Sequence, residues 1–334
     1  MALGAAGLLL SSCSSVHVEP EVVFKLPSTA AGCGGATALG GGAERIPLTV
    51  STVAGQVAEM VNVCVGGQGP IPFVLDTGAG ESTIDARLVA RLHLAHDGPA
   101  SGFAGVGCTG TAVPVAVKAW SVAGVTLAPQ QLTEATLPGI GKRGEPVGLL
   151  GSDVLSRFGA ARIDFRAQTL TLAGPQGPAP RVTAPPVVGP VGPPPPAVLT
   201  EGQRGTTVPL TVTLSPGSVS LNVRVRFGRG PTRGFVVDTG ASQSVVATVA
   251  AQAEHLAGSD LAQRQATVCS EITVPLVHSG PWSIPGVALH QQLIGETNFG
   301  AISSGGIEGL LGSDLLKRYG WVIFDYAGGR LVLG

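Results

Sequence analysis

The sequence has few aromatic residues, few charges and no long apolar run. Aromatic residues make up 4% of the 334 residues, charged residues make up 12%, and the formal net charge is −1. No run of lysine or arginine is present, which argues against nucleic acid as a partner. Residues 2–10 are apolar but fall well short of the roughly 20 residues that a membrane-spanning helix needs.

Two common kinds of functional site are also missing. No serine occupies a G-x-S-x-G turn, the nucleophile position of many hydrolases. Of the six histidines only His93 and His96 lie close together, with no third ligand near them in sequence. A surface pair is the simpler interpretation and a metal site is the alternative. We therefore expect neither a metal nor a cofactor.

What the sequence does contain indicates a β fold rich in turns. Apolar residues make up 44% of the chain, and there are 50 glycines and 26 prolines. With so few aromatics, the expected core consists of valine, leucine, alanine and isoleucine. The length is sufficient for two domains, each with its own core.

A seven-residue stretch occurs twice. Residues 73–79 read F-V-L-D-T-G-A and residues 235–241 read F-V-V-D-T-G-A. In each copy an apolar strand runs into a tight Asp-Thr-Gly turn. A carboxylate at the end of a buried strand is costly unless its charge is used or satisfied. Two copies of the pattern therefore predict that Asp76 and Asp238 share one site.

A second pair of motifs shows that the chain contains an internal duplication. Residues 148–159 read G-L-L-G-S-D-V-L-S-R-F-G and residues 309–320 read G-L-L-G-S-D-L-L-K-R-Y-G. The D-T-G aspartates are 162 positions apart, and the G-S-D aspartates, Asp153 and Asp314, are 161 positions apart. So nearly constant an offset indicates repeated units.

With these motifs the chain resembles the retropepsin and pepsin superfamily of aspartic peptidases. The matching residues are the two D-T-G-A stretches and the apolar-apolar-Gly motifs at 149–151 and 310–312. The resemblance implies an all-β fold with two retropepsin-like β-barrel lobes, related by pseudo-two-fold symmetry, each with a short helix. Each lobe would donate one D-T-G aspartate, and its apolar-apolar-Gly strand would pass beside the D-T-G loop.

The expected domain organisation follows composition and the repeats. It comprises a lipoprotein-type signal at 1–13, a flexible tether at 14–44, a first lobe at 45–174, a Pro-rich linker at 175–205 and a second lobe at 206–334. We refer to 45–174 as the first repeat and to 206–334 as the second repeat. The run of prolines in the linker suggests a polyproline-type spacer, and a ligand for a proline-binding module is the alternative.

The resemblance also implies roles for site residues. Asp76 and Asp238 would be catalytic, Thr77 and Thr239 would interlock, and Gly78 and Gly240 would let backbone amides approach the carboxylates. Substrate contacts would come from the residues after each triad and from the tip of a hairpin predicted at residues 102–119. These residues are Ala79, Gly80, Glu81, Ala241, Ser242, Gln243, Gly105, Val106 and Gly107. Glu81 has a second interpretation, as a solvated residue at the rim of the cleft.

Two helices and two hairpins are expected around this site. Residues 85–94 have helical spacing, with Leu88, Val89, Leu92 and His93 on the apolar side, and residues 246–257 form the corresponding stretch. Residues 102–119 predict a glycine-rich hairpin, and residues 266–277 predict its counterpart. In the resembling family such a hairpin is a flap that closes over the cleft.

The cysteines suggest export. Residues 10–13 read Leu-Ser-Ser-Cys, which looks like a bacterial lipobox with Cys13 as the lipidated residue, although no lysine or arginine precedes the apolar run. Four other cysteines allow three pairings, and four free thiols are the alternative. Cys108 and Cys269 lie at equivalent places in the two predicted flaps, so we expect them to pair. Cys33 and Cys64 would then pair by default.

The resulting prediction is an aspartic endopeptidase that hydrolyses peptide bonds with a water activated between Asp76 and Asp238. The other hypothesis is an inactive peptide-binding envelope lipoprotein with the same fold. The expected partners are a peptide or protein substrate and a membrane reached through a lipid anchor. We expect a monomer, with its two lobes arranged as a pseudo-dimer, located in the cell envelope. Because alanine follows both triads, we also expect activity in mildly acidic to near-neutral medium.

Overall fold

The computed structural model describes residues 17–18, 22–138, 144–145, 147–178, 187–188, 205–268 and 270–334. The described residues are mostly β-strand, arranged in sheets of ten, twelve and seven strands. The predicted all-β fold class is confirmed. None of the described residues forms a helix long and apolar enough to cross a membrane.

The ten-stranded sheet is built by the first repeat. Its strands are Thr49–Val53, Gln56–Val65, Gln68–Asp76, Thr83–Asp85, Ser101–Gly105, Cys108–Val117, Trp120–Val122, Val125–Leu127, Gln130–Ala135 and Gly148–Gly151. The strand that ends at Asp76 runs parallel to Gly148–Gly151, with Asp76 opposite Gly151. This pairing places the D-T-G and G-L-L-G motifs side by side.

The twelve-stranded sheet is built mainly by the second repeat. Its strands are His17–Val18, Val187–Val188, Thr211–Ser215, Ser218–Phe227, Thr232–Val237, Val245–Ala247, Gly258–Ala266, Glu271–His278, Trp282–Ile284, Val287–Leu289, Leu293–Thr297 and Ile307–Leu311. The strand before Asp238 again runs parallel to the G-L-L strand, with Val237 opposite Leu311. The duplicated motifs therefore adopt the same pairing twice.

The seven-stranded sheet joins the two repeats. Its strands are Thr37–Gly40, Ala43–Pro47, Ala160–Asp164, Thr169–Leu172, Thr206–Pro209, Trp321–Asp325 and Arg330–Leu333. Ala160–Asp164 of the first repeat pairs antiparallel with Trp321–Asp325 of the second, and each strand follows its own G-S-D motif. The main apolar core includes buried residues of both repeats.

Among the residues that the structure describes, each repeat carries two short α-helices: Ala86–Leu92 (α1) and Ser152–Leu155 (α2) in the first, Thr248–Ala253 (α3) and Ser313–Leu316 (α4) in the second. Turns of 3-10 helix occur at Ser156–Phe158, Gly300–Gly305 and Lys317–Tyr319. Asp85 caps α1, since its carboxylate accepts from the Arg87 amide at 2.7 Å. The side chains predicted to face the core, Leu88, Val89 and Leu92, are buried.

Both helix predictions were too long. His93 ends α1 in the left-handed conformation and is exposed, so its predicted place on the apolar side was wrong. In the second repeat, Val245–Ala247 is a buried strand between two neighbours and α3 begins only at Thr248. Two valines in that strand are suited to the pleated, buried position.

Two further boundaries differ from the prediction. The second hairpin begins at Gly258 rather than at residue 266, because Gly258–Ala266 is its entire first strand. The predicted flexible tether is too long, since Thr37–Gly40 and Ala43–Pro47 are strands of the joining sheet. Within the predicted linker, Val187–Val188 pairs with Thr211–Val212, and the proline run lies outside the described residues.

Candidate active site

The two D-T-G loops are locked together by their threonines. The Thr77 hydroxyl donates to the Val237 carbonyl at 2.8 Å and accepts from the Thr239 amide at 3.1 Å. The Thr239 hydroxyl donates to the Leu75 carbonyl at 2.6 Å and accepts from the Thr77 amide at 3.0 Å. Both threonines are fully buried, so this reciprocal set fixes the distance between the loops.

Each aspartate is held by its own loop and faces the opposite one. Asp76 Oδ1 accepts from the Ala79 amide at 2.8 Å, and Asp238 Oδ1 accepts from the Ala241 amide at 3.0 Å. A Cβ at Gly78 would overlap the Asp238 carboxyl, and a Cβ at Gly240 would overlap the Asp76 carboxyl. Only glycine permits so close an approach.

Burial and mutual repulsion shift the ionisation of this pair. Burial raises the pKa of Asp76 above its usual value. For Asp238, burial and then the charge of Asp76 raise the pKa well above its usual value. Two carboxyls so close cannot both ionise cheaply, so they hold one proton between them. The pair can thus supply a base and an acid at the same time.

A second layer of buried polar residues supports each loop, and the sequence prediction missed it. Ser82 donates to Asp153 Oδ1 at 2.6 Å and accepts from the Gly151 amide at 2.9 Å. In the second repeat, Ser244 donates to Asp314 Oδ1 at 2.8 Å and accepts from the Gly312 amide at 3.0 Å. Burial raises the pKa of Asp153 and raises that of Asp314 to about 6.

The signal for this layer was present in the sequence. A serine follows each D-T-G aspartate at the sixth position, and both apolar-apolar-Gly motifs continue into Ser-Asp. Glutamines then complete the arrangement, since Gln130 donates to Asp153 at 2.9 Å and Gln292 donates to Asp314 at 2.5 Å. The repeated side chains therefore hold the G-L-L-G strand to the loop that follows each triad.

Residues that follow the triads link the two repeats. The Gly80 carbonyl accepts from the Val219 amide at 3.0 Å, and the Ser242 carbonyl accepts from the Val57 amide at 2.9 Å. Since Val57 and Val219 are 162 positions apart, as are Gly80 and Ser242, these two bonds are related by the duplication. The Ser242 hydroxyl also donates to Gln56 Oε1 at 2.8 Å. Substrate contact through Gly80 and Ser242 stays a prediction.

Glu81 and Gln243 differ in environment as well as in residue type. Glu81 is exposed and accepts from the Thr133 hydroxyl at 3.0 Å. Gln243 is buried and accepts from Gln265 of the second hairpin at 2.8 Å. The two sides of the site are therefore unequal, and substrate contact by either residue remains a prediction.

The hairpin tips reach across to the opposite repeat. In the first hairpin, Gly105 and Cys108 pair across the turn formed by Val106 and Gly107, and Val106 packs against the core. A Cβ at Gly107 would contact Ile272 of the second hairpin at 3.4 Å. Val268 of the second hairpin packs against buried first-repeat residues: Ala135, Leu137, Val147 and Leu149. The tips of the two hairpins therefore lie against each other across the boundary between the repeats.

A cavity of about 160 Å³ lies beside Asp76. Its walls come from both repeats and from the segment that precedes the first repeat. Val22 and Phe24 line it together with Asp76, Gly240 and Ser242. The other lining residues are Gln56, Ala58, Val74, Leu137, Pro138, Val147, Leu149, Arg264, Gln265, Ala266, Thr267, Val268 and Glu271. The walls combine apolar side chains with polar groups from both repeats.

Three of the described cysteines are disulfide-bonded. Cys33 and Cys64 form a disulfide with 5.7 Å between their Cα atoms, which ties the N-terminal segment to the first repeat. Cys108 is also disulfide-bonded, and its Sγ lies 3.5 Å from the Thr267 hydroxyl of the second hairpin. Its predicted partner Cys269 lies outside the described residues, as does the predicted lipidation site Cys13.

The two histidines weighed as a metal pair lie on the surface, apart from this site. His93 is the exposed residue that ends α1, and His96 Nε2 lies 2.6 Å from Glu134 Oε2. No group of three or more potential metal ligands occurs among the residues that the structure describes.

Part of the chain is similar to a known protein family. A family model described as aspartyl protease matches residues 61–154, which contain the first D-T-G and G-L-L-G-S-D motifs. This part of the chain is similar to aspartyl proteases. Among solved structures, the chain is similar to an aspartic proteinase from Irpex lacteus at 14% identity and a TM-score of 0.47, covering 87% of this chain and 97% of that one. A search of curated proteins gave no significant match.

Proposed function

We propose that the chain is an aspartic endopeptidase in which Asp76 and Asp238 act as one catalytic pair. The observation that carries the proposal is the reciprocal threonine lock, which brings two buried carboxyls together. The match of residues 61–154 to aspartyl proteases supports the same activity for the first half of the site.

The proposed mechanism uses one shared proton and one water. The ionised aspartate takes a proton from the water, which attacks the scissile carbonyl carbon, while the protonated aspartate donates to the carbonyl oxygen. The tetrahedral intermediate then collapses: one of its hydroxyls returns a proton to the aspartate that had donated it, the C–N bond breaks, and the leaving amine takes a proton from the other aspartate. Each cycle returns the pair to its singly protonated state.

The proposed setting is the cell envelope, with a lipid anchor at Cys13 and the chain acting as a monomer. The disulfide between Cys33 and Cys64 supports an oxidising compartment. Radiolabelled palmitate incorporation into the full chain, compared with a Cys13→Ala variant, tests the anchor. Equal labelling of both proteins would contradict it.

The first prediction concerns the two aspartates. Either Asp76→Asn or Asp238→Asn should lower kcat by about 10² to 10⁴-fold, because half a pair cannot both accept and return a proton. The measurement is cleavage of a mixed peptide library between about pH 4 and 7.5, where a shared carboxyl proton titrates. Asp260→Asn is the matched control, since Asp260 is exposed.

Two outcomes would count against the catalytic pair. Normal cleavage by both single variants would remove the aspartates from the mechanism. A wild-type chain that binds library peptides without cutting them would instead support the peptide-binding alternative.

A further inference from the structure

A buried serine next to the second D-T-G loop makes two hydrogen bonds that it cannot both donate. Ser313 Oγ lies 2.6 Å from Glu59 Oε2 and 3.1 Å from the Thr239 carbonyl oxygen. A hydroxyl carries one proton and a carbonyl oxygen can only accept. If Ser313 donates to Thr239, the contact with Glu59 requires a proton on the Glu59 carboxyl.

The first repeat contains the same arrangement with a different donor. Ser152, the counterpart of Ser313, has its Oγ 2.8 Å from the Thr77 carbonyl oxygen and 3.1 Å from the Tyr326 hydroxyl. Tyr326 is buried, and burial raises the pKa of its phenol, so the hydroxyl keeps its proton. Tyr326 can therefore donate to Ser152 while Ser152 donates to Thr77.

The two donors are not copies of one another. The position equivalent to Glu59 in the second repeat is Leu221, and the position equivalent to Tyr326 in the first repeat is Phe165. Each serine thus receives its partner from the opposite repeat, once as a carboxyl and once as a phenol. The feature that the two sites share is an oxygen from the opposite repeat that faces the serine.

We propose that Glu59 is a positioning residue that stays protonated in the folded chain and donates to Ser313, which in turn donates to the Thr239 carbonyl beside Asp238. These two hydrogen bonds hold the second D-T-G loop in place, in the same way that the hydrogen bonds of Tyr326 and Ser152 hold the first D-T-G loop. The role in catalysis rests on the proposed function, whereas the proton on Glu59 and the order of the loop do not.

The surroundings of Glu59 favour the neutral carboxyl. The side chain is completely buried, and burial raises its pKa from 4.5 to about 8, with the Ser313 bond and the charge of Lys317 acting in the opposite direction. The charge of Asp314 also raises the pKa of Glu59, by a smaller amount. Lys317 itself is bonded to the Thr52 hydroxyl, and no ion pair joins it to Glu59 among the described residues.

The decisive experiment compares three replacements in the full chain by amide hydrogen exchange and mass spectrometry. Glu59→Gln retains a donor for Ser313, whereas Glu59→Leu introduces the apolar residue found at position 221. Ser313→Ala removes the hydroxyl that lies between Glu59 and the Thr239 carbonyl. At pH 6 or thereabouts we expect Glu59→Leu and Ser313→Ala to exchange about tenfold faster around residues 238–241 than Glu59→Gln. Exchange around residues 76–79 should change little.

Tyr326→Phe is the matched control on the other repeat. It should speed exchange around residues 76–79 and leave residues 238–241 unchanged. If Glu59→Leu exchanges no faster than Glu59→Gln at residues 238–241, the positioning role is wrong. If Glu59→Leu does not fold, the pH dependence of the melting temperature in wild type and in Glu59→Gln still decides whether Glu59 is protonated.

The proton on Glu59 has a separate readout in the melting temperature. The folded chain binds this proton more tightly than the unfolded chain, so the stabilisation is complete below the unfolded pKa and is lost as pH rises towards 8. Between about pH 5 and 8, wild type should lose about 5 °C relative to Glu59→Gln, which has no such proton. Parallel pH curves would show that Glu59 is ionised when folded and would overturn the proposal.

Activity supplies the last comparison. Glu59→Leu should have a kcat about tenfold below that of Glu59→Gln, because the change misplaces the loop that carries Asp238. If the protein proves to have no peptidase activity, the proposed function fails, and the exchange and melting data still decide whether Glu59 is protonated and orders the loop.

Discussion

The pKa of each of the two aspartates depends on the hydrogen bonds that its carboxylate accepts. Asp76 Oδ1 accepts from the Ala79 amide and Asp238 Oδ1 accepts from the Ala241 amide, and an alanine at this position has no hydroxyl to donate to the carboxylate. Burial raises the pKa of both carboxyls. A hydroxyl at Ala79 or Ala241 would favour the ionised form and work against burial.

This gives a prediction for the pH profile. Ala79→Ser combined with Ala241→Ser should shift the whole profile of kcat/KM towards acid by about one pH unit, since a hydrogen bond to a charged group is worth roughly 1.5 kcal/mol or more. The parent should work in mildly acidic to near-neutral medium. Ala79→Val with Ala241→Val adds bulk without a donor and should not shift the profile. A parent optimum near pH 2, or equal shifts in both double variants, would show that the alanines do not set it.

At the residue scale, the sequence predicted the D-T-G groups, missed the serine and aspartate layer although the duplication repeats it, and gave no signal for groups that occur in one repeat only. The D-T-G residues stand out because both copies keep them. Glu59 and Tyr326 each occur in one repeat only, and their counterparts are Leu221 and Phe165. Their partners are also distant, since Ser313 is 254 positions from Glu59 and Ser152 is 174 positions from Tyr326. No local pattern could have revealed these contacts.

At the scale of elements, the hairpins and the helices show where local pattern is sufficient. The first hairpin turns at Val106–Gly107, where the glycine-rich sequence predicts it, and Gly107 has a φ of +72°. The second hairpin has no such glycines near its tip, and its first strand was missed because Gly258–Ala266 mixes polar and apolar residues. Tertiary pairing, rather than local propensity, also sets where α3 begins.

The two hairpin tips give a prediction about access to the cleft. Cys108 is disulfide-bonded and lies beside Thr267, so a bond from Cys108 to Cys269 would hold the tips together. We expect Cys108→Ser to raise kcat/KM for bulky folded substrates by about tenfold and to change that for short peptides less, because the tips must part for the larger substrate. Cys33→Ser with Cys64→Ser, which removes the other disulfide, should not relieve this exclusion.

Peptide mapping without reductant checks the same bond directly. The expected cross-linked peptides contain Cys108 with Cys269 and Cys33 with Cys64. A free Cys269 thiol, or equal effects of the two sets of serine variants on bulky substrates, would rule out a clasp between the tips.

At the scale of the whole molecule, the two repeats share one site and one joining sheet. The strands after the G-S-D motifs pair with each other in that sheet, and the carbonyls of Gly80 and Ser242 add two matching bonds between the repeats. The prediction of two similar β units followed from the duplication. The position of the N-terminal segment could not be predicted in this way, because its sequence has the composition of a tether and has no counterpart in the second repeat.

That segment leads to the last prediction. Val22 and Phe24 line the cavity beside Asp76, and the segment is held there by the Cys33–Cys64 disulfide and by the Lys25 amide, which donates to Ser51 at 2.9 Å. A segment of this chain that forms part of the cavity wall restricts the space for a peptide that must enter the cavity. The apparent affinity for peptide is then reduced to the extent that the segment must move away before the peptide binds.

Val22→Ser combined with Phe24→Ser should therefore lower KM for short peptides by about tenfold, since burial of a phenylalanine or valine is worth roughly 1.5–3 kcal/mol. The value of kcat should stay unchanged, because the aspartates and their hydrogen bonds are untouched. Lys25→Ser is the control from the same segment, as its side chain is exposed and its backbone bond survives. Initial rates over a range of peptide concentrations provide the measurement. A KM that rises in the double variant would mean that Val22 and Phe24 form part of the surface that binds substrate, and an unchanged KM would mean that the segment leaves the cavity without cost.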